Sequence, residues 1–255
     1  SVSCDPSGAF HFLEDSAAPL AAVNLLAFRD KPAGIDLDAL AQAVKLLTVA
    51  LELSVLSASL PSRAMAETCF AYRPLAIGHG NLAALLMSLG LAYDSEEARQ
   101  SAAALTAFIT ATAYATSAEM ARELGAFPRF DANRDTLLRE LGRMKRATER
   151  STRRRKQEGV KTALHPDSVA ITGLAERCAE VWAAALTAAE EHGLRNAQVS
   201  LLSAAPEMHR LLDCSCLGLE AMPGLLRFHR LTDDGFYQLI DDAAPQALRA
   251  LGYGE

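Results

Sequence analysis

Few residues of this sequence stand in patterns typical of catalytic or binding sites. His79 is the best-placed candidate, because it follows a short apolar run and lies between Gly78 and Gly80. Glycines at such a place let a ligand approach the backbone closely, although core packing is an equally ordinary role for a lone imidazole. The six histidines include no i, i+4 pair. The sequence therefore predicts no metal site.

The cysteines do not form a recognisable site either. Cys4, Cys69, Cys178, Cys214 and Cys216 are odd in number and have no CxxC spacing, which argues against a disulfide framework and against zinc. The close pair Cys214 and Cys216 is expected to be two reduced thiols. The sequence also contains no P-loop, GxGxxG, HExxH or nucleophile elbow, so the common phosphate-binding and hydrolytic motifs are excluded.

A basic run is the strongest electrostatic feature. Residues 143–156 hold eight basic side chains and one acid, and Arg153, Arg154, Arg155 and Lys156 are candidates for binding an acidic protein partner. A solvated helical face is the alternative. The run has no aromatic residue and the chain has a net charge of -6. Nucleic acid is therefore an unlikely partner.

The elements that must position these residues are short apolar segments alternating with long helices. This pattern predicts a helix-dominated α/β fold in one domain, residues 1–255. Three strands are expected, at Pro19–Phe28, within Arg73–Gly80 and at Asn196–Ser203. The expected helices are one capped by Asp36 and ending before Pro61, and others at about Asn81–Leu89, Asp94–Gly125, Asp131–Gln157 and Thr172–His192.

The ends of the chain carry weaker signals. The tail from Leu225 is expected to be extended first and then to form two short helices from Asp233 onward. The first residues lack the basic and apolar regions of a secretory leader. No apolar run reaches the ~18–20 residues that span a bilayer. The expected location is the cytoplasm, without a membrane contact.

Four stretches resemble the class II, adenosylcobalamin-dependent ribonucleotide reductases. Tyr72-Arg-Pro-Leu-Ala-Ile-Gly-His-Gly-Asn-Leu-Ala-Ala-Leu-Leu-Met87 is similar to their Tyr-Arg-Pro-Leu-Gly-Leu-Gly-Tyr-Ala-Asn-Leu-Gly signature. Residues 10–25 resemble the segment after the radical-cysteine loop, residues 113–121 a following helix, and residues 192–200 the strand before the phosphate loop. The order and spacing agree. The resemblance implies a remnant of the second half of the reductase α/β barrel.

The positions that carry chemistry in that family differ here. The family's finger loop, Asn-Pro-Cys-Ser-Glu, falls on Asp5-Pro6-Ser7-Gly8-Ala9. Ser7 cannot replace a thiyl-forming cysteine, because sulfur is the softer and more readily oxidised atom. Ala9 offers no carboxylate for proton transfer. A reducing cysteine of the family falls on Ala18, so the dithiol that supplies electrons lacks a member.

The phosphate loop also departs from the family. Its Ala-Pro-Thr-Gly-Thr-Ile falls on Ser203-Ala-Ala-Pro-Glu-Met208. Both threonines are lost, Pro206 removes an N–H donor, and Glu207 repels a phosphate. A three-residue insertion would instead place Cys4 on the radical position, but the other losses would remain.

These departures favour a non-catalytic binding or interaction protein on the reductase scaffold. The alternative is an enzyme part, either one half of a split reductase or a new activity in the old cleft. No cofactor is predicted from the residues, and adenosylcobalamin follows only from the resemblance. Because the family's first half-barrel has no counterpart here, we expect sheet edges that a second copy covers in a homo-oligomer. The chain's own long helices are the other possible cover.

Overall fold

A computed structural model describes residues 2–4, 8, 10–30, 34–148, 164, 166–202, 211–232 and 234–253. The strands are β1 Val2–Cys4, β2 His11–Leu13, β3 Leu20–Asn24, β4 Arg29–Asp30, β5 Gly34–Ile35, β6 Ala76–Gly80, β7 Leu226–Arg230 and β8 Phe236–Ile240. The α-helices are α1 Leu37–Ser57, α2 Arg63–Tyr72, α3 Leu82–Ser88, α4 Glu96–Leu124, α5 Phe130–Thr148, α6 Leu174–His192 and α7 Ala243–Ala250. Short 3-10 helices lie at Leu25–Phe28 and Pro166–Ser168.

The core is a small parallel layer covered by helices. β3 pairs in parallel with β6, and Ser200 forms a parallel bridge to Ile77 on the other side of β6. β3 and β6 are buried along most of their length, as expected for parallel strands with both faces covered. The helix-dominated α/β class is therefore confirmed. In the described part of the chain the strands form four two-stranded sheets and no closed barrel.

Local sequence signals explain the two longest packing helices. The Asp36 carboxylate accepts a hydrogen bond from the Ala39 N–H at 2.9 Å and caps α1, and the Ser95 hydroxyl caps α4 in the same way through Ala98. α4 buries alanines at Ala104, Ala111 and Ala118. These small side chains let α4 lie close to α6, its main packing partner.

Two expectations about the second half of the chain were wrong in part. The tail forms the antiparallel hairpin β7–β8 and then one helix, α7, because Phe-Tyr-Gln-Leu-Ile in β8 is rich in residues that favour strands. The strand expected at Asn196–Ser203 is present only as a parallel bridge at Ser200. Backbone hydrogen bonds still join this segment to β6, from Ile77 to Val199 and from Leu201 to Ile77. Residues beyond Thr148 in the expected polar helix lie outside the described part.

Among the described residues, one helix is long and apolar enough to cross a membrane by length and composition. It is α1, whose apolar window is 28% buried. The expectation that no segment is long and apolar enough was therefore too strict. Core helices of soluble proteins pass the same test, and α1 contains Glu52, which is 2% exposed and ion-paired inside the fold.

Candidate functional site

His79 lies in the packing layer between β6 and α4. Its ring is 1% exposed, and its Nε2 lies 3.2 Å from the Thr106 hydroxyl. That hydroxyl donates to the Ala102 carbonyl oxygen at 2.9 Å, so it accepts from the imidazole, and Nε2 carries the proton. Nδ1 is buried without a partner. Burial lowers the pKa of His79 to about 4, with a smaller opposing influence from Glu220, so the ring is neutral at pH 7.

The opposite side of β6 meets the segment that holds the close cysteine pair. Gly80 has no side chain, and a Cβ there would lie 2.8 Å from the Cys214 Sγ and 3.2 Å from the Cys216 carbonyl oxygen. The Asn81 N–H also donates to that carbonyl at 2.9 Å. Glycine at position 80 is therefore required by the close approach of this segment.

Two asparagines fix the same segment over the ends of β3 and β6. The Asn81 amide nitrogen donates to the Asn24 side-chain oxygen at 3.0 Å, and its oxygen accepts from the Ser215 N–H at 2.6 Å. The Asn24 amide nitrogen donates to the Leu212 carbonyl at 3.0 Å. Asn81 adopts a φ of 62°, a conformation that asparagine tolerates better than most residues. The carboxyl ends of these parallel strands, where α/β folds commonly bind ligands, are thus occupied by the chain itself.

Three of the buried thiols, Cys178, Cys214 and Cys216, have a raised pKa. Burial raises the pKa of Cys178 to about 12 and that of Cys214 to about 11, and it raises the pKa of Cys216 as well. Thiolates are the reactive form of cysteine. These three side chains therefore have the character of packing residues at neutral pH.

Ala18 follows a backbone segment that is bound to another thiol. The Ala17 N–H donates to the Cys69 Sγ at 3.1 Å, and the Cys69 thiol donates to the Ala17 carbonyl at 3.2 Å. Ala18 is half-buried. Cys4 is exposed at the end of β1, with its Sγ 3.8 Å from the His11 Nε2.

The other candidate positions lie outside the described residues. They are Asp5, Ser7 and Ala9 of the finger-loop alignment, Arg153, Arg154, Arg155 and Lys156 of the basic run, and residues 203–208 of the phosphate-loop alignment. No group of three metal-ligating side chains occurs among the residues with described positions.

Sequence reasoning missed a buried charged network behind the layer. The Glu52 carboxylate accepts from Arg73 Nε at 2.7 Å, from Arg195 Nε at 2.7 Å and from the Asn196 amide at 2.7 Å. Asn196 also binds Ser117 at 2.9 Å. Arg73 Nη2 lies 2.6 Å from the same carboxylate, although its angle is poor for a hydrogen bond. The sequence feature that could have revealed this network is Glu52 itself, a charged residue within the apolar stripe of α1.

Comparison with known proteins decides the family. The sequence matches the ribonucleotide reductase barrel domain over residues 5–255. The chain belongs to this family. It is 41% identical over 98% of its length to the vitamin B12-dependent ribonucleotide reductase of Agrobacterium fabrum. It is 37% identical over 98% of its length to the protein of that name from Bradyrhizobium diazoefficiens, and 32% identical over 94% to that of Streptantibioticus cattleyicolor.

The resemblance to class II reductases is thereby confirmed for the whole described chain. This reductase-family chain spans 20% of the length of the first two relatives and 40% of the third.

Proposed function

We propose that this chain is a non-catalytic binding or interaction module built on the ribonucleotide reductase scaffold. The observation that carries the proposal is Ala18, which provides a methyl group where the resemblance places a reducing cysteine. The adjacent Ala17 N–H donates to the Cys69 sulfur, and the Ala17 carbonyl oxygen accepts from the Cys69 thiol, so this thiol already has both a donor and an acceptor. A dithiol relay needs two thiols that can exchange, and this position contributes none.

The sequence supports the same proposal at two further places. Ser7 and Ala9 replace the radical cysteine and the carboxylate of the finger-loop alignment. Glu207 places a negative charge where the family binds phosphate. In these alignments three separate sites lack the groups on which the family's chemistry depends, which supports the proposal.

Adenosylcobalamin does not fit the described residues. The cofactor supplies a carbon-centred radical, which must be passed to a nearby thiol. Cys69, Cys178, Cys214 and Cys216 are buried, and the ends of β3 and β6 are closed over by the chain. Among the described thiols, only the exposed Cys4 could meet such a radical, and it belongs to the second candidate function below. We assign no step of a reaction to this cofactor.

An enzyme part is the second candidate, as one half of a split reductase or as a new activity in the old cleft. The exposed Cys4 favours it, because its Sγ lies 3.8 Å from the His11 Nε2. The same nitrogen donates to the Gly8 carbonyl oxygen at 3.0 Å, so it carries a proton and is placed to donate to the Cys4 sulfur rather than to accept its proton. Cys4 also directly precedes the positions of the finger-loop alignment.

A reductase assay separates the two candidates. We expect the purified chain, given adenosylcobalamin, dithiothreitol and each ribonucleotide in turn, to form no deoxyribonucleotide above a boiled control. Turnover that disappears in Cys4→Ser but persists in the matched exposed-residue variant Ser3→Ala would contradict the non-catalytic proposal. It would establish Cys4 as the functional thiol.

The partner proposed for this module is an acidic protein bound by Arg153, Arg154, Arg155 and Lys156. Surface charges are screened beyond about 10 Å at about 0.1 M salt. Binding of polyglutamate, as a probe, should therefore weaken steeply as salt rises, and replacement of all four residues by glutamine should abolish it. Equal binding by Arg139→Gln, a single change in the described helix α5, serves as the control. Polyglutamate binding that survives the fourfold change would contradict the proposal.

A further inference from the structure

The helix α1 has two apolar faces, and one of them is exposed. Leu40 and Val44 are buried on the inner face, and α1 packs against α4 and β3. On the outer face Leu46 is 59% exposed, Leu53 is 61% exposed and Leu56 is 62% exposed. A helix that is apolar all round is normally covered on every side. The outer face of α1 lacks such a cover among the described residues.

The exposed leucines follow the spacing of a seam between paired helices. Leu46, the half-buried Val49, Leu53 and Leu56 alternate three and four residues apart. This spacing keeps apolar side chains on one face, towards a second helix. At about 1.5 Å per residue the seam is about 15 Å long, or about three helical turns.

Small side chains border the seam. Ala50 and Ser57 are exposed, and each follows a seam residue directly, Val49 and Leu56 respectively. Small residues at these positions leave room for the backbone of a second helix at the usual packing distance of about 8–10 Å. The shape of this face therefore suits a helix.

The size of the seam decides between a second copy and a single docked helix. Three leucines about 60% exposed, together with Val49 and Ala50, offer roughly 200–300 Å² of apolar surface. A stable dimer buries about 800 Å² on each partner. The seam is too small for that, whereas an amphipathic helix docks through a few apolar anchors on one face.

The charges near the seam decide between a helix and a lipid surface. Lys45 and Arg63 are the cations closest to it in sequence. Lys45 binds Glu119 at 2.6 Å, and Arg63 binds Glu67 at 2.7 Å. Attraction to an anionic bilayer depends on an excess of Lys and Arg, and these two cations are each paired with an acid. The charge distribution favours a protein helix.

We propose that the seam formed by Leu46, Val49, Leu53 and Leu56 binds one amphipathic helix of a partner protein. The leucines of that helix recur at the same three- and four-residue spacing, and its apolar face covers the exposed face of α1. The contact is transient, because the area is small. This surface is separate from the basic run, so its test is independent of the acidic partner proposed above.

A designed peptide serves as the probe. It is a fluorescein-labelled helix of Ala, Glu and Lys with leucines at alternating three- and four-residue spacing, and a matched peptide carries serine in place of every leucine. Titration with the intact chain should raise the fluorescence anisotropy of the leucine peptide to saturation, with a dissociation constant on the order of 100 μM. The serine peptide should show no change.

Two double variants locate the binding surface. Leu46→Ser with Leu53→Ser removes two anchors and should weaken binding of the leucine peptide about tenfold for each leucine. Both positions are exposed, so the core is unaltered. The control is Leu248→Ser with Leu251→Ser, which removes leucines that are 50% and 61% exposed at α7 and should leave the dissociation constant unchanged.

Each outcome bears on the proposal. Equal binding of the peptide by the α1 variant would overturn it, as would binding of the serine peptide or loss of binding in the α7 variant. Phosphatidylserine vesicles that sediment with the unaltered chain but not with the α1 variant would assign the seam to a lipid surface, and a dimer that dissociates only in the α1 variant would assign it to a second copy. Either result would contradict a partner helix.

A measurement on the unaltered chain keeps the test decisive if the α1 variant does not fold. With ¹³C-labelled leucine methyl groups, the resonances of Leu46, Leu53 and Leu56 should shift as the leucine peptide is added. Resonances that stay in place while the anisotropy of the peptide rises would show that it binds elsewhere, and would overturn the proposal.

Discussion

The Glu52 network and the β7–β8 hairpin differ in the side chains they bury. Charged groups are buried in the network, whereas apolar groups are exposed in the hairpin. The network buries Arg73 at 1% exposure and Glu52 at 2%, and the Arg195 side chain, which is 15% exposed, pairs with the same carboxylate. The hairpin leaves large apolar side chains in solvent, including Phe228 at 68% and Phe236 at 67%. Burying charge is costly unless it is paired, whereas exposing apolar surface forgoes stabilisation.

Register explains the hairpin face. Leu226 pairs with Ile240, and Arg230 pairs with Phe236. Because alternate residues of a strand share a face, Leu226, Phe228, Phe236 and Ile240 lie on the same side. From this comparison we expect the network to hold the fold together and the hairpin, whose apolar face is exposed, to contribute little to stability.

The largest expected effect comes from breaking the network. Glu52→Gln removes the carboxylate of the network and leaves the buried Arg73 and the partly exposed Arg195 without this counter-charge. Loss of one partner from a buried ion pair costs about 3–5 kcal/mol, so urea unfolding should show a fall of this size in the free energy of unfolding. The matched control is Glu119→Gln, which removes an exposed pair with Lys45 and should cost less than about 1 kcal/mol. Equal effects would show that the network does not anchor the fold.

The next effect depends on pH and concerns His79. Its folded pKa is about 4, below the unfolded value of about 6.5, so the unfolded chain binds more protons between these values. The stabilisation is complete above pH ~6.5 and is lost as pH falls towards 4. One pKa unit corresponds to about 1.4 kcal/mol, which gives a loss of about 3 kcal/mol.

His79→Gln should flatten this part of the stability curve, measured by urea unfolding at several pH values between ~4 and ~7. His11→Gln changes an exposed imidazole and should leave the curve unchanged. A His79→Gln curve with the full acid sensitivity would assign the loss to other groups.

The sequence predicted these regions unequally, and the reasons are physical. The caps and apolar spacing of α1 and α4 are local signals, and they indicated both helices correctly. Asp36 could be recognised as a cap because its partner lies three residues away. The partners of Glu52 lie 21 and 143 residues further along the chain, so no local pattern could identify them.

The placement of His79 and the tail show the same limit. The sequence analysis noted the glycines on either side of His79, but Gly80 is required by the close approach of Cys214 rather than by a ligand. The long-range packing that creates this requirement cannot be read from neighbouring residues. In the tail, the strand preference of Phe236–Ile240 was present in the sequence, and the helical interpretation gave it too little weight.

A smaller effect should follow from crowding the contact above β6. Gly80→Ala would place a Cβ 2.8 Å from the Cys214 Sγ. Overpacking of this kind costs about 1–3 kcal/mol, which chemical denaturation can measure. Gly224→Ala is the control, because the nearest atom to its added Cβ is 3.6 Å away. If Gly80→Ala were as stable as the control, the segment at Cys214 would be loosely held, unlike the network.

The smallest effect on stability is expected at the hairpin. Replacing Phe228 and Phe236 with serine removes two exposed rings and should change the free energy of unfolding by less than about 0.5 kcal/mol for each ring. The proposed homo-oligomer predicts a much larger effect on association, because a second copy would cover this apolar face. Light scattering at micromolar concentration should give a mass of at least twice 27.2 kDa for the unaltered chain, and 27.2 kDa for the double variant.

The control for this change removes equally exposed leucines elsewhere. Leu46 and Leu53 of α1 are 59% and 61% exposed, and serine at both positions should leave the oligomer intact. A monomeric mass for the unaltered chain would contradict the homo-oligomer. It would indicate that the chain's own helices cover the sheet edges. An oligomer that survives in the hairpin variant but not in the α1 variant would place the interface on α1. If the hairpin variant keeps its free energy of unfolding but becomes monomeric, the hairpin serves association and the Glu52 network serves stability.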